Sequence, residues 1–290
     1  MVWQGIVQQI GRDKLQRYRI MLFSLISIIG VVSLTLYAMY HCQLNAINRK
    51  DELVVGMCIE YRPFEFENQQ GESEGFDVDL AREIGKRVGK KILFKNIGFD
   101  ALILSLLKNE IDLIISAMAI TKSRCERINM IPYHGKTMKK MVLLFWGDIP
   151  TGVASLKDLA AYHHIRHPKR KLIISVQAGT IQEGYLREVP NIEIRTLDMI
   201  IELLLDIQYN KSIAAMVPCD ILAPIKNDFG DKVQALVVDL PKEHGGRGEG
   251  IGVCKENTDL YNQIKQVVKD LLKEGFIDQL IQKWFQNHRF

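Results

Sequence analysis

Closely spaced cysteines are absent from this sequence of 290 residues. Its five cysteines lie far apart and form no CxxC pair: Cys42, Cys58, Cys125, Cys219 and Cys254. This spacing argues against a zinc or thioredoxin-like site. An odd, widely spaced set does not indicate a disulfide framework either. We therefore expect mostly buried, unpaired thiols.

A strong excess of one charge is absent too. Lysine and arginine number 38, aspartate and glutamate 34, so the net charge is only +4. This balance does not indicate a nucleic-acid surface. The sequence has no nucleotide-binding loop and no matched Ser/His/Asp arrangement, so we predict no cofactor, no metal and no catalytic residue. His163, His164 and His167, within the polar segment 155–170, are expected to lie in a solvated loop.

Charged residues are missing from one long stretch near the start, Ile20 to Tyr40. At about 1.5 Å per residue, such a helix is just long enough to cross a bilayer. Basic residues before it fit the positive-inside rule. We expect a cytoplasmic tail at 1–19, a transmembrane anchor or signal segment at 20–41 and a linker at 42–51. Cleavage as a signal peptide and lipidation at Cys42 are the alternatives. All three place the rest of the chain outside the cytoplasm.

After the linker, short apolar strands alternate with amphipathic helices. Leu80, Ala81, Ile84 and Val88 lie three and four residues apart and predict an amphipathic helix that ends at Gly89. A strand at 92–97, a helix capped by Asp100 and ended by Asn109, and a buried strand at 113–116 follow. A second β-α-β pattern appears later in the chain. This alternation predicts an α/β fold with helices on both faces of parallel sheets. Such sheets bind small ligands in loops at the carboxyl ends of their strands.

Several blocks of this sequence recur in one known family. They are Gly75-Phe76-Asp77-Val78-Asp79-Leu80, Phe99-Asp100-Ala101-Leu102-Ile103, Ile120-Thr121 with Arg124, Val176 to Glu183, Tyr61 to Glu65, and a tail reaching Trp284 and Phe285. With these blocks in this order, residues 50–286 resemble the polar amino-acid-binding proteins of bacterial ABC importers, solute-binding family 3. Within that family the chain is somewhat similar to arginine-type binders.

The resemblance implies a two-lobed periplasmic-binding-protein fold, in which each lobe is a central, mostly parallel sheet flanked by helices. We expect lobe 1 at 52–146 plus 249–290 and lobe 2 at 147–248, with two crossings that permit hinge closure. The implied protein is a monomeric periplasmic receptor, anchored to the inner membrane and not an enzyme. It would deliver a polar amino acid, with basic ones among the candidates, to an ABC permease.

Arg124 is the candidate for binding the carboxylate of that amino acid. It lies in the first turn of the helix that follows Thr121. A guanidinium group offers a planar, two-pronged match to carboxylate, and a helix start offers unpaired backbone N–H groups. The resemblance implies that the loop of Ser116, Ala117 and Ala119 lends further backbone contacts.

The resemblance assigns the remaining contacts by position. Tyr61 and Phe99 match an aromatic pair that holds the ligand side chain, and aromatic faces also attract a guanidinium. Thr180 is expected to cap a helix, to contact the ligand, or both. Gln182 is the candidate for a further contact with the ligand side chain.

Three positions depart from the family pattern. The acid that usually holds the ligand ammonium falls, without gaps, on Pro218. Asp220 lies two residues later and takes this role only if the loop is shifted. Cys58 and Ala119 replace polar residues that commonly contact the ligand. Because an unpaired ammonium in a closed cleft is costly, these departures bear mainly on the ammonium site.

The proline at 218 keeps a second interpretation open. Some relatives with this fold dehydrate carboxylated cyclohexadienyl compounds, having lost the ammonium site while keeping the arginine. Such an enzyme needs a general acid that faces the cleft, and Asp220 and Glu183 are the candidates. A membrane-anchored sensor domain is the least favoured of the three interpretations.

Overall fold

The computed structural model describes residues 29–33 and 51–285. Residues 29–33 are helical and belong to a unit separate from the one that begins at Leu53. The predicted tail at 1–19, Cys42 and most of the predicted anchor at 20–41 lie outside the described residues. Within the described residues, no helix has the length and apolar character needed to cross a membrane.

Two five-stranded sheets and one small hairpin form the β structure of the described chain. Their strands are β1 (Glu52–Met57), β2 (Phe66–Glu67), β3 (Ser73–Glu74), β4 (Lys91–Asn96), β5 (Leu113–Ile114), β6 (Asn129–Thr137), β7 (Lys140–Trp146), β8 (Leu172–Gln177), β9 (Ile192–Leu197), β10 (Ala214–Val217), β11 (Val233–Asp239) and β12 (Arg247–Val253). The first sheet has the order β4-β1-β5-β12-β6 and the second the order β11-β7-β10-β8-β9. The hairpin pairs β2 with β3.

Both sheets are mixed. In the first, β1 pairs parallel with β5, and in the second, β8 pairs parallel with β9 and β10. β12 is antiparallel to β5 and β6, and β7 is antiparallel to β10 and β11. Each antiparallel pair of these two sheets includes β7 or β12, the strands that directly follow the two crossings between the sheets. The predicted two-lobed α/β fold is confirmed, with antiparallel pairs where the chain changes lobe.

Helices cover both faces of each sheet. They are α1 (Phe76–Val88), α2 (Leu102–Leu107), α3 (Lys122–Arg127), α4 (Leu156–Arg166), α5 (Ile181–Glu188), α6 (Ile200–Gln208), α7 (Leu222–Phe229), α8 (Thr258–Lys273) and α9 (Phe276–Phe285). α1, α8 and α9 pack on one face of the first sheet and α2 on the other. α4 and α5 pack on one face of the second sheet, and α6 and α7 on the other. Each lobe therefore has apolar cores on both sides of its sheet.

The first helix shows how local sequence fixes these elements. Leu80, Ala81 and Ile84 are buried on one face of α1. Acidic residues occupy its first turn and basic residues its last, which is the arrangement that the helix dipole favours. Gly89 ends the helix with φ 67°, a left-handed conformation in which glycine has no steric cost. The predicted end of this helix at Gly89 is confirmed.

The first crossing between the lobes comes earlier than we predicted. We placed the strand 141–145 at the end of lobe 1 and the boundary at 146. This is wrong, because β7 pairs along its length with β10 and β11 of the second sheet. The chain therefore crosses at Met138 and Lys139, directly after β6.

The return crossing occupies residues 240–246, since β12 of the first sheet already begins at Arg247. The predicted restart of lobe 1 at 249 is therefore slightly late. The two crossing segments bond to each other: Met138 N donates to Gly246 O at 3.1 Å, and Leu240 N donates to Lys139 O at 2.8 Å. In the described chain, lobe 1 comprises 53–137 plus 247–285, and lobe 2 comprises 140–239.

The histidine-rich segment 155–170 is mostly helical, so our prediction of a solvated loop is wrong. Ser155 Oγ accepts from Asp158 N at 3.2 Å and begins α4. Leu156, Leu159 and His163 are spaced three and four apart and are buried on one face, which anchors the helix on the second sheet. A serine followed three residues later by an acid is the sequence signal for this helix start.

The predicted cap of α2 is also wrong. Asp100 lies inside a short 3-10 turn, Phe99–Ala101, and makes no side-chain cap bond to α2. The predicted end at Asn109 agrees with its left-handed φ of 57°, which asparagine adopts more readily than most residues.

Candidate ligand-binding site

A cavity lies between the lobes. Loops that follow β5 and β8 form two of its walls, as expected at the carboxyl ends of parallel strands. The structure brings together all the residues predicted for the site: Tyr61, Phe99, Ser116, Ala117, Ala119, Arg124, Thr180, Gln182 and Asp220. Residues that we did not assign as contacts also line it: Cys58, Glu65, Met138, Gln177, Ile181, Pro218 and Glu249.

The Arg124 guanidinium is held by backbone carbonyls of both lobes. Nη1 donates to the carbonyl of Ala119 at 2.7 Å, and Nη2 donates to the carbonyl of Gly179 at 2.9 Å. Thr121 Oγ1 accepts from Arg124 N at 3.2 Å and begins the helix that carries this side chain. Arg124 is only 8% exposed, and burial alone lowers its pKa to about 10. A buried guanidinium without a carboxylate partner among the described residues favours an anionic ligand group.

Gly179 lets the lobes meet closely beside Arg124. Its φ is +76°, and a Cβ there would lie 2.6 Å from Cα of Asp100 in the other lobe. Glycine is therefore required both by the backbone conformation and by the close approach. The neighbouring ring of Phe99 has its centroid 5.3 Å from Cζ of Arg124, within cation–π range.

Two side chains of lobe 2 complete this end of the cavity. Thr180 caps α5 as predicted, since its Oγ1 accepts from Glu183 N at 3.3 Å. The same hydroxyl donates to the carbonyl of Gln177 at 2.7 Å. Its one hydrogen-bond donor is therefore engaged within the protein. Gln182 is buried, and its Nε2 has no hydrogen-bond partner among the described residues. An acceptor on a bound ligand would satisfy that amide.

Asp220 faces the cavity although the family acid aligns with Pro218. A 3-10 turn, Cys219–Ile221, starts directly after Pro218 and carries Asp220 into the cleft. Tyr61 Oη donates to Asp220 Oδ1 at 3.0 Å and so links the two lobes. Burial raises the pKa of Asp220, while the Tyr61 hydroxyl and backbone N–H groups of the turn oppose that rise. An acid is thus present near the expected place, supplied by a different residue.

Glu65 places a second carboxyl at the cavity. Ser116 Oγ donates to Glu65 Oε1 at 2.7 Å and accepts from Cys58 N at 3.0 Å. The Ser116 hydroxyl is therefore fully engaged by the protein. Burial, and then the charge of Asp77, raise the pKa of Glu65 well above its usual value. Glu65 consequently binds a proton more strongly than an exposed glutamate does.

Asp77 lies behind Glu65 and shapes the loop that borders Arg124. Its Oδ2 accepts from Ala117 N at 2.6 Å and from Tyr133 Oη at 2.9 Å. The first bond holds Ala117 at φ +42°, which a residue other than glycine adopts only under outside restraint. Glu65 Oε2 and Asp77 Oδ1 have no donor among the described residues. Because the two carboxyls also interact with each other, one proton shared between them completes the pair.

Glu249 is a further acid of the cavity, on β12 just after the return crossing. It is 9% exposed, and its Oε2 has no hydrogen-bond partner among the described residues. Burial, followed by the charges of Asp220 and Asp77, raises the pKa of Glu249 to about 8. Gly135 makes room for it, since a Cβ there would lie 2.1 Å from Glu249 Oε2. We did not predict this acid as a contact, because it lies within a glycine-rich stretch, 244–250, that carries no recognised binding motif.

Glu60 joins the lobes beside the cavity. Its Oε1 accepts from Ile200 N at 3.0 Å, at the start of α6 in lobe 2, and from Gln177 Nε2 at 3.3 Å. Burial raises the pKa of Glu60 to about 7. Together with the Arg124–Gly179 and Tyr61–Asp220 bonds, this contact holds the lobes in a closed arrangement.

The structure also reports on the metal and thiol predictions. In the described part of the chain, no group of three or more His, Cys, Asp or Glu side chains has a metal-binding arrangement. The described cysteines are free thiols, with Cys58 and Cys254 buried. Burial is the main cause that raises the pKa of Cys58 to about 12, so this thiol of the cavity wall is a poor nucleophile.

Two lobes joined by a double crossing, with a polar cavity between them, define a protein that closes on a small solute. The chain belongs to the bacterial extracellular solute-binding proteins, family 3, whose profile matches residues 53–287. The family match and the named relatives identify it as a binding protein.

Three relatives illustrate the match. The probable ABC transporter arginine-binding protein ArtJ of Chlamydia trachomatis is 36% identical over 241 residues, covering 83% of this chain and 88% of the relative. The histidine-binding periplasmic protein of Salmonella typhimurium is 30% identical and covers 80% of this chain and 86% of its own. A solved mutant of ArgBP from T. maritima superposes with a TM-score of 0.70 at 29% identity, covering 83% and 98%.

Proposed function

We propose that this protein is a periplasmic receptor that closes on a basic amino acid and delivers it to an ABC permease of the inner membrane. The names of several relatives, arginine-binding and histidine-binding proteins, support a basic ligand. The family supports the transport role. The ligand class itself is argued from the charges inside the cavity.

One observation carries this proposal: among the described residues, the charged side chains that line the cavity have no oppositely charged partner. Arg124 is bonded to carbonyl oxygens, and burial is what shifts its pKa. The carboxyls of Glu65, Asp220 and Glu249 also line the cavity, and each has its pKa raised by burial. Removing charges from water without partners is strongly unfavourable. A ligand with one anionic group and more than one cationic group complements this arrangement.

A basic amino acid has these charges. Its carboxylate meets Arg124 in a two-pronged contact, close to the free amide of Gln182. Its α-ammonium and its cationic side chain face the acids. The rings of Tyr61 and Phe99 flank the aliphatic part, and their faces also suit a guanidinium. A neutral amino acid has no side-chain cation, so it would offer the acids Glu65, Asp220 and Glu249 only its α-ammonium.

A panel titration of the purified full-length protein tests the ligand class. Calorimetry with single amino acids should show tight binding of arginine or lysine, weaker binding of their neutral analogues, and no binding of aspartate or glutamate. Preference for an acidic or neutral amino acid would contradict the proposal. Release of an aromatic product from arogenate or prephenate would instead support the dehydratase interpretation.

The uncharged segment near the start of the chain bears on where the protein acts in the cell. We propose that the segment 20–41 holds the lobes at the periplasmic face of the inner membrane as a monomer. The protein should stay in the membrane fraction after high-salt washing, with its lobes open to protease in spheroplasts. Recovery of a soluble form that begins near Met39 or Asn45 would show that the segment is cleaved.

A further inference from the structure

We propose that Glu249 binds the α-ammonium of the ligand and supplies the counter-charge that the family pattern places at position 218. This inference rests on the proposed function, because it assumes an amino-acid ligand. It adds a residue that neither the sequence motifs nor the alignment with Pro218 indicated. Three features of Glu249 support it: its position, its unsatisfied oxygen and its lack of a cation within the protein.

The position of Glu249 is set by backbone pairing next to Arg124. Glu249 forms an isolated antiparallel bridge with Ala119. The carbonyl of Ala119 accepts the bond from Arg124 Nη1 at 2.7 Å. In an amino acid, a single carbon joins the carboxylate to the ammonium. A ligand whose carboxylate contacts Arg124 therefore has its ammonium near the segment that Glu249 pairs with.

The carboxylate of Glu249 has an oxygen available for a donor. Oε2 is buried and has no partner among the described residues, and Glu249 lines the cavity. The carboxyl packs against Gly135, where any Cβ would collide with Oε2. Since a buried acceptor without a donor is costly, an ammonium that donates to this carboxyl gains both a bond and a charge pair.

No cation among residues 51–285 acts on Glu249. His134 lies opposite Glu249 in the strand register, but its ring packs against Phe64, Phe76 and Phe285. Burial lowers the pKa of His134, which keeps its ring neutral. The charged groups that act on Glu249 are Asp220 and Asp77, both acids that oppose its ionisation. The missing cation is thus left for the ligand to provide.

The other acids of the cavity have competing bonds. Glu65 receives the Ser116 hydroxyl and interacts with Asp77. Asp220 receives the Tyr61 hydroxyl and backbone N–H groups of its own turn. Asp220 is close enough to Glu249 to raise its pKa, so an ammonium placed between the two pairs with both. Glu249 supplies the oxygen that is free before the ligand arrives.

Ligand analogues distinguish an ammonium contact from a side-chain contact. The full-length protein and the Glu249→Gln variant are titrated with arginine, with citrulline, which lacks the side-chain cation, and with 5-guanidinopentanoate, which lacks the α-ammonium. Glu243→Gln, an exposed acid of the same crossing segment, is the matched control. We expect Glu249→Gln to weaken arginine binding about 30-fold, as is typical when one partner of a buried charge pair is removed.

The decisive quantity is the ratio of affinities between analogues. In the natural protein arginine should bind much more tightly than 5-guanidinopentanoate, and in Glu249→Gln this preference should largely disappear. The preference for arginine over citrulline should stay unchanged in both. Because these ratios are measured within one variant, partial loss of folded protein does not alter them, and Glu249→Thr provides a smaller side chain for the same test.

Two outcomes would overturn the inference alone. Either the preference for arginine over 5-guanidinopentanoate survives in Glu249→Gln, or the preference over citrulline collapses, which would place Glu249 at the side-chain cation. If the natural protein binds none of the basic amino acids, the proposed function fails together with this inference.

Discussion

The two sides of the cavity are built in different ways. Arg124 is held by two backbone carbonyls, and its helix begins at a capping threonine within the same short segment. The acid side draws Glu65 from the first lobe, Asp220 from the second lobe and Glu249 from the strand after the return crossing. The arginine is thus positioned by its own short segment, with one bond to Gly179 of the other lobe, whereas the acids are brought together by tertiary folding.

This difference affects how each side responds to a ligand. Arg124 stays charged at any ordinary pH, since even its lowered pKa is about 10. The carboxyls have raised pKa values and oppose one another, so their ionisation depends on a cation from outside. We therefore expect the arginine side to decide whether an amino acid binds, and the acid side to decide how tightly and at which pH it binds.

Substitution of Arg124 should have the largest effect. Arg124→Ala removes the partner of the ligand carboxylate in a cleft that excludes water, so affinity for arginine should fall by at least about 100-fold. Arg124→Lys keeps the charge but lacks the planar fork, and should restore only part of the loss. Calorimetry on both variants measures this. Equal affinity of the alanine variant and the natural protein would show that the carboxylate binds elsewhere.

Substitution of Asp220 tests the acid side from lobe 2. Asp220→Asn keeps an acceptor for the Tyr61 hydroxyl but removes a charge from the ammonium environment. Affinity for arginine should fall by roughly 30-fold, equivalent to about 2 kcal/mol. Tyr61→Phe is the matched control, because it removes the bond to Asp220 and leaves the charge. A loss in Tyr61→Phe as large as that in Asp220→Asn would assign the effect to lobe contact instead of charge.

The sequence was sufficient for the arginine side because its signals are local. Thr121 and Arg124 are three residues apart on one helix start, and the preceding strand and loop are contiguous. Asp220 was indicated only conditionally, since the turn after Pro218 decides where its side chain points. Glu249 was missed because its bridge to Ala119 and the packing of its carboxyl on Gly135 place it, and both residues are distant in sequence.

The fold shows the same limit. The helices and strands of each lobe were predicted from periodicity and caps, but the assignment of β7 to the second sheet depends on its partners, β10 and β11. The sequence of an apolar strand does not indicate which sheet the strand joins. The helix α4 did carry a local signal, Ser155 and Asp158, which the polar, histidine-rich composition obscured.

The pH dependence of binding tests the acid side as a unit. In the unliganded protein the pKa of Glu249 is about 8, and the nearby carboxyls of Asp220, Asp77 and Glu65 are also raised. A cationic ligand favours the ionised forms, so below about pH 8 binding must release a proton. Affinity for arginine should therefore fall as the pH falls, by up to about tenfold per unit for each proton released.

Calorimetry between pH 5.5 and 8.5, in buffers with different ionisation enthalpies, measures both the affinity and the proton release. Glu249→Gln should flatten the profile, whereas Glu243→Gln should not. Affinity that rises on acidification would contradict the assignment of cationic ligand groups to these acids.

The smallest effect is expected at Glu60, which acts on closure without lining the cavity. Its carboxylate accepts from Ile200 N at the start of α6 and from Gln177 Nε2 in the other lobe, and a negative charge at a helix start is favourable. Glu60→Ala should lower the affinity for arginine by about tenfold, because one hydrogen bond to a charged group contributes about 1.5 kcal/mol and the closed state is populated less. The association rate should change little and the dissociation rate should rise, with small-angle scattering showing a more open unliganded protein.

The control variant Glu60→Gln keeps an acceptor for Ile200 N. Its affinity for arginine should lie between that of the natural protein and that of Glu60→Ala. If Glu60→Ala leaves dissociation and scattering unchanged while affinity falls, the residue contacts the ligand directly and the closure role is wrong.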